Sequence, residues 1–405
     1  MADQLTAVVA GGGIAGLTSA VALIQAGWQV TVLERAPAFG EVGAGLGLTG
    51  NGLAALDAIG VGDAVRAAGY MDSHRGFQDS RGRWLVRMPQ DRADIATVNK
   101  FLGIHRQRLH GVLLHAAQEA GADLVTGAEV TGVQPGTPGG EPAAVTWRSG
   151  SAAHNRRAQL VVAADGVRSS VRAALFPGAQ PRYSGSTSWR AVIPDSASDG
   201  DLTSAWGPGT EFGALRTSAS EIYWYGYFRH PEGASFDDEL AAARAHFSGW
   251  SADVQAVVAA TTASQLMRHD VYHLPDGLPS SVRGRVVLIG DAAHAMLPTM
   301  GQGAATALED GICVSRLIGE PVAAGGDLSA ALAGFDQARR PRCQQMTRQS
   351  AMVGRFGPDL GGGWRQAVRN GLLRLLPAGP LVGAGAAVTR WTPPDPAAPA
   401  PAASA

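Results

Sequence analysis

Apolar residues run through 6–10, stop at three glycines, and then recur at Ile14, Leu17, Val21 and Ile24, one face of a helix over 14–26. A second apolar run covers 29–33. Strand, helix, strand in that order predicts a parallel sheet covered by helices. Short helices are expected over 51–58 and 61–68, and a hairpin over 76–88 turning at 80–83. An amphipathic helix over 108–120 precedes strands near Leu124, Val130 and Val145, and 160–164 is a fully apolar strand. From 181 to 272 the character changes. Aromatics concentrate (Tyr183, Trp189, Trp206, Phe212, Tyr223, Trp224, Tyr225, Tyr227, Phe228), and strand-like pieces alternate with turns and one helix over 237–247. That predicts a mainly antiparallel sheet inserted into the first domain. An apolar run at 286–289 and helices over 304–317, 330–352 and 364–376 follow.

The fold class expected is therefore α/β. A Rossmann-like domain with a parallel sheet would comprise 1–73, 96–180 and 276–345. An antiparallel sheet domain would comprise 74–95 and 181–275, and C-terminal helices 346–391. The Pro/Ala-rich tail, 392–405, has too little apolar surface to order itself.

Composition narrows the partners. With 45% hydrophobic and 17% charged residues among 405, the chain is globular. A net charge of −1 gives no chain-wide field to draw nucleic acid or an anionic membrane. The two cysteines, Cys313 and Cys343, fall in helical segments and read as buried small hydrophobes rather than a disulfide or metal pair. The polar start and the glycines at 11–13 do not form a signal peptide, so a cytoplasmic location is expected. Residues 372–388 are largely apolar, but Arg374, Pro377, Pro380 and several glycines interrupt them. A helix and loop packed on the body are expected there, without stable membrane insertion. The oligomeric state is left as monomer or homodimer.

Three segments carry chemistry. Gly11-Gly12-Gly13-Ile14-Ala15-Gly16 fits G-x-G-x-x-G between strand and helix: one glycine for the turn, one for close approach to a pyrophosphate, one for helix packing. Glu34 ends the second strand where an acid accepts hydrogen bonds from a ribose, with Arg35 beside it. Ala164-Asp165-Gly166-Val167-Arg168-Ser169-Ser170-Val171-Arg172 places an acid and a glycine after a buried strand, then a helix start. Gly290-Asp291 ends another apolar strand and leads through Pro298, Gly301, Gln302 and Gly303 into a helix whose N-terminus can hold negative charge.

Together the three segments resemble the class A flavoprotein monooxygenases, the family of para-hydroxybenzoate and salicylate hydroxylases. The resemblance covers about residues 5–350 and adds Arg106, in Ile104-His105-Arg106-Gln107-Arg108-Leu109, as an arginine reaching the flavin nucleotide. It implies bound FAD, with NADH or NADPH as transient reductant and O2 as co-substrate. It implies hydroxylation of an aromatic or polycyclic small molecule through a C4a-hydroperoxyflavin. By the same resemblance Asp291 would bind the ribityl chain, and Pro298 with the backbone of Gly301, Gln302, Gly303 and Ala304 would line the isoalloxazine. Gly45 and Gly47 would pass the ring on its other side, or simply form a loop. Asp165 would touch FAD or cap a helix. The chain departs from the pattern after Gly303, where Ala304-Ala305-Thr306 replaces an amide side chain, so backbone would serve there.

For the substrate, candidate lining residues are Trp189, Arg190, Phe212, Arg216, Tyr223 and Tyr225. Alternation puts Tyr223 and Tyr225 on one strand face and Trp224 on the other, with the pocket side left open. Arg216 could anchor an anionic group, Tyr225 and Pro298 could line the reacting site, and His269 or His273 could act as base. His294 is expected to support the Gly290 turn. Competing readings are a dehydrogenase of the same fold without oxygen insertion, a non-catalytic flavin-binding partner, or a flavin halogenase. The halogenase reading lacks its W-x-W-x-I-P segment and a suitably placed lysine, since Lys100 is the sole lysine.

Overall fold

The computed structural model describes residues 4–40, 43–89, 99–195, 204–375 and 378–395. Expectations for the hairpin flank at 90–98 and the tail from 396 onward lie outside them.

The first apolar run forms the strand Thr6–Ala10, the amphipathic segment the helix Ile14–Gln25, and the second run the strand Gln29–Leu33. Thr6–Ala10 lies between Gln29–Leu33 and Leu160–Ala163, parallel to both. Val286–Leu288 adds in parallel beyond Leu160–Ala163, and Asp123–Val125 beyond Gln29–Leu33. In register, Ala10 meets Leu33 and Ala163, and Ala163 meets Leu288. The residues that follow these strand ends therefore emerge along one edge of the sheet, where open parallel sheets bind ligands. Alternation gives the sheet two buried faces. Val9, Val32, Val162 and Val287 pack with Leu23 and Phe335, and Val8, Leu33, Val161 and Leu288 pack with Val145 and Trp147. Each such side chain contributes about 1.5–3 kcal/mol by burial.

Trp147 and Val145 belong to a meander of Glu129–Gln134, Ala143–Ser149 and Ala152–Ala158. The last strand carries no apolar alternation and is solvent-facing until Ala158. It exists because every residue from Ala152 to Ala158 pairs with the preceding strand.

The aromatic segment forms a seven-stranded sheet ordered Met267–His273, Arg182–Pro194, Glu221–Arg229, Thr210–Ser218, Ser204–Gly207, Gly76–Asp79 and Trp84–Arg87. All its pairings are antiparallel except that of Ser204–Gly207 with Gly76–Asp79. One face is covered by the expected helix Glu239–His246 and by a second, Ala252–Ala259, that the apolar pattern does not separate. Trp189, Phe212, Trp224 and Phe228 fill that covered face with Phe247, Val254 and Val257. Trp189 and Phe212 thus belong to the sheet's own core, not to a pocket lining. The indole partners show the same side: Trp189 Nε1 donates to Glu239 and Trp224 Nε1 to Thr261, both toward the helices.

A smaller sheet of Gly45–Leu48, Lys100–His105 and Tyr70–Ser73 joins the two bodies. The chain ends in a 29-residue helix Leu328–Phe356 and helices Trp364–Leu375 and Ala378–Thr389. Among the described residues, no helix is long and apolar enough to cross a membrane.

Candidate active site

At the sheet edge, a Cβ on Gly11 (φ 108°) would lie 2.3 Å from the Ala164 carbonyl oxygen, and one on Gly16 would lie 1.9 Å from the Gly11 carbonyl oxygen. Only glycine lets strand, turn and helix approach this closely. The helix behind the turn starts at Ile14 with Gly13 as its cap, no side-chain cap and no acid in its first turn. The first-turn amides of Ile14, Ala15 and Gly16 are thus left for an external anion. Glu34 accepts the Gly12 amide on Oε2 and the Ala36 amide on Oε1, each at 2.8 Å, which fixes its carboxylate beside that turn with lone pairs remaining for hydroxyls. Arg35 is exposed next to it.

Asp165 accepts the Val171 amide at 3.1 Å and the Ser170 hydroxyl at 3.2 Å on Oδ2, so it does hold the start of the helix Ser170–Leu175. Its Oδ1 is buried and has no partner among the described residues, an acceptor left open at the same edge. Arg172, the arginine that closes the Asp165 segment, is 2% exposed. It donates to the carbonyls of Val167, Ala179 (3.1 Å) and Ala292 (3.0 Å), and so ties the Asp165 segment to the Gly290 turn.

Gly290 sits at φ 57°, ψ −145°, a conformation that side chains rarely adopt. Its amide donates to Asp310 Oδ2 at 2.9 Å, and His294 Nε2 meets the same oxygen at 2.5 Å. Asp310 therefore supports the turn directly and His294 acts through it. Arg339 donates to Asp310 at 2.7 Å and to Glu309 at 2.7 Å, so no charge in this buried cluster stands alone. Asp291, one residue on, is exposed at the sheet edge.

Pro298–Met300 forms a single 3-10 turn, Gly301 (φ 64°) reverses the chain, and the helix Gly303–Val314 begins without a side-chain cap or an acid in its first turn. Gln302 turns inward, donating to Thr49 and accepting from Asn51, each at 3.1 Å. Ala305 is fully buried against Gly52, whose Cβ would come within 3.2 Å of Ala305 Cβ. Position 305 thus serves helix packing, and the backbone at 301–304 is what faces outward. An anion cradle, a polyol-facing edge with Asp165 and Asp291, and an uncapped helix end follow one another along one sheet edge. The donor set fits FAD.

The free face of the seven-stranded sheet carries the second half of the site. Cross-strand register places Tyr225 beside Gly213 and Arg190, Glu211 beside Tyr227 and Trp206, and Tyr223 beside Leu215 and Val192. Tyr227 packs with Leu297, immediately before Pro298, so this face looks toward the turn at Pro298–Gly303. Gly45 needs its missing side chain for this face too: a Cβ there would lie 2.2 Å from Tyr223 Cγ. Gly47 is looser, since a Cβ there would meet Phe101 and Leu215 at 3.6 and 3.7 Å. Arg106 begins the helix Arg106–Glu119. Its charge opposes the rise that burial imposes on the Tyr223 phenol and adds to the fall that burial imposes on the His269 imidazole, so it stands near both.

Glu211 is the buried acid of this face, and the sequence does not disclose it. It is 3% exposed. Tyr225 donates to its Oε1 at 2.7 Å. Its Oε2 is buried and makes no close hydrogen bond among the described residues, with the Trp206 indole N–H near enough to favour its charged form. Burial pushes the Glu211 carboxyl up to about 7, against the opposing hydrogen bonds from Tyr225 and Trp206. Burial, and then Glu211, raise the Tyr225 phenol well above its ordinary range. Nothing in E-F-G-A-L marks this acid as buried. Only the cross-strand register reveals it.

Arg216 lies elsewhere. Alternation turns it away from Tyr223 and Tyr225, and it pairs with Asp195 at 2.9 Å. It offers no free cation to a substrate. His269 shares the Tyr227 row across Ser188, and burial followed by Arg190, Arg268 and Arg106 lowers its pKa. It stands on the edge strand, apart from the Glu211–Tyr225 pair.

Residues 4–350 match the family model described as an FAD binding domain. The chain is 37% identical to the aurachin C monooxygenase/isomerase of Stigmatella aurantiaca, over 93% of this chain and 95% of that one. It is 34% identical to the 2-heptyl-3-hydroxy-4(1H)-quinolone synthase of Pseudomonas aeruginosa, over 92% and 94%. Its fold matches Klebsiella pneumoniae HpxO, solved with FAD and uric acid, with a TM-score of 0.82 at 24% identity over 95% and 96% of the chains. With the glycine cradle, the turn at Pro298–Gly303 and these relatives in agreement, the chain belongs to the FAD-dependent aromatic monooxygenases of the FAD-binding-domain family.

Proposed function

We propose that this monooxygenase hydroxylates a neutral bicyclic heteroaromatic of the 4(1H)-quinolone type, at the ring carbon next to the carbonyl. The observation that carries the reading is Glu211, a buried carboxyl with one oxygen held by Tyr225 and the other beside Trp206 without a close hydrogen bond among the described residues. An acceptor in an apolar aromatic wall suits a ring N–H donor and repels a substrate carboxylate. The names of two relatives at 34–37% identity, both acting in aurachin or quinolone chemistry, support the same class.

The residues divide the work. The amides of Gly13, Ile14, Ala15 and Gly16 would hold the FAD pyrophosphate, Glu34 and Arg35 its adenosine and ribose side, and Arg106 would reach toward the flavin nucleotide. Asp165 and Asp291 bind the ribityl region. Pro298 and the backbone of Gly301, Gln302, Gly303 and Ala304 line the ring, with Gly45 and Gly47 opposite. The uncapped N-terminus of the helix Gly303–Val314 would stabilise negative charge on the bound ring. Bound FAD, reduced by NADH or NADPH, supplies one oxygen atom of O2 as electrophile, and the other leaves as water. Glu211 takes the ring N–H proton, which raises electron density at the carbon under attack. Tyr225 orients Glu211, and the face of Tyr223, Tyr227 and Leu297 excludes water. In this division 1–73, 96–180 and 276–345 carry cofactor, and 74–95 and 181–275 carry substrate.

Comparing a 2-alkyl-4(1H)-quinolone with salicylate in substrate-stimulated NAD(P)H oxidation tests the reading. The quinolone is expected to give a kcat/KM about 100-fold higher, with a product heavier by one oxygen. Equal or better use of salicylate would overturn it.

A further inference from the structure

The balance of charge over the whole chain, 33 Lys and Arg against 34 Asp and Glu, hides a strong local asymmetry. Between Asp336 and Asp395 stand nine arginines and one acid, Asp359. In the structure this segment forms the end of the long helix and the two C-terminal helices.

The helix Trp364–Leu375 is amphipathic with its faces reversed. Arg369 is buried, donating to the carbonyls of Phe356 (2.8 Å) and Gly357 (3.1 Å), with its guanidinium 5.2 Å from the centre of the Trp206 ring. Arg374 pairs with Asp79 at 2.8 Å. The apolar positions point outward instead. Trp364 is 72% and Leu375 83% exposed, and Val368 and Leu372 lie between them at helical spacing. Met352 and Phe356, at the end of the preceding helix, are exposed as well. Arg348, Arg355, Arg365 and Arg390 are exposed on the same acid-poor segment. A soluble surface seldom shows so many large apolar side chains together.

We propose that this face docks on an anionic lipid surface, with the helix Trp364–Leu375 lying in the plane of the headgroups. Aromatic and leucine side chains on one face with arginines beside them are the chemistry of an interfacial helix. The lack of acids in the segment favours anionic lipid over a second copy of this chain, which would bring the same arginines to face one another. The helix also roofs the substrate sheet, since Arg369 stacks on Trp206 and Arg374 holds Asp79, residues of adjacent strands on the pocket face. Docking would therefore place the pocket roof against the bilayer, suited to a substrate that partitions into lipid.

Flotation of the FAD-loaded protein with vesicles tests this. Vesicles of phosphatidylcholine with roughly one part in three phosphatidylglycerol, in about 0.1 M salt, are compared with phosphatidylcholine alone. The protein is expected to float with the anionic vesicles and to dissociate as salt rises. The double variant Val368→Glu/Leu372→Glu is expected to lose partition roughly tenfold or more while keeping wild-type turnover of a water-soluble substrate. The variant Arg348→Glu/Arg365→Glu, which leaves the apolar face intact, should weaken binding to anionic vesicles in the same way. Failure of the wild type to float, or equal flotation of either variant, would overturn the proposal. So would sedimentation showing a wild-type dimer that Val368→Glu/Leu372→Glu converts to monomer, because the face would then join two copies.

Discussion

Tyr225 donates a 2.7 Å hydrogen bond to Glu211 across the pocket face, and the second carboxylate oxygen is buried beside Trp206 without a close hydrogen bond among the described residues. Because burial holds the Glu211 carboxyl near 7, its ionised form accumulates only as pH rises through that value. The kcat/KM for a substrate with a ring N–H should climb through about 7 to a plateau. Glu211→Gln should lower kcat/KM by about 10²–10⁴-fold and erase that limb. Tyr225→Phe should cost roughly tenfold. Stopped-flow and steady-state pH profiles of the three proteins provide the check.

The same carboxyl affects stability in the opposite direction. Its folded pKa lies above the ordinary value of 4.5, so between 4.5 and about 7 the folded state holds a proton that the unfolded state has released. Stability should fall across that window by about 1.4 kcal/mol per pH unit at most. Thermal melts should show Glu211→Gln more stable than wild type at pH 8, with the advantage gone at pH 4.

His294 and Asp310 behave as a pair. Burial opposes charge on both, yet Cys343 and Asp310 raise His294 well above the imidazole range, while Arg339 and His294 lower Asp310. The His294 contribution is thus complete below its ordinary value of 6.5 and declines as pH rises toward the raised one. The Asp310 contribution is complete above 3.8 and is lost as pH falls toward the lowered value. The melting-temperature gap between wild type and His294→Gln should be widest between these limits and narrow as the medium becomes alkaline.

Arg172 joins the Asp165 segment to the Gly290 turn through three carbonyls. Arg172→Ala would leave them buried without donors, a loss of about 3 kcal/mol or more. Titration with FAD should show weaker binding by roughly 100-fold, accompanied by a lower melting temperature. Unchanged FAD affinity would dissociate this arginine from the cofactor site.

The three glycine-and-acid motifs, the βαβ start and most helices were legible because short-range rules decide them. The strand Thr6–Ala10 is closed by Gly11, which meets Ala164 at a distance no other residue permits. What escaped depends on partners remote in sequence. Ala152–Ala158 has no strand pattern and is made by its neighbour. Glu211 and Trp189 are assigned to opposite faces by cross-strand register, which no local pattern reveals. Arg216 reads as a candidate anchor until Asp195 appears beside it.

Gly45 and Tyr223 couple the small sheet to the substrate sheet. Gly45→Ala would drive a methyl into the phenol ring and should destabilise by about 1–3 kcal/mol. In a Tyr223→Ala background the same change should cost little, a coupling measurable in a double-mutant cycle of denaturation midpoints.

The most direct measurement is turnover of the FAD-loaded protein with NAD(P)H and a quinolone under ¹⁸O2. The product is expected to carry one ¹⁸O atom, with NAD(P)H consumed in equal amount. Product without label, or NAD(P)H oxidation that yields only hydrogen peroxide, would contradict oxygen insertion.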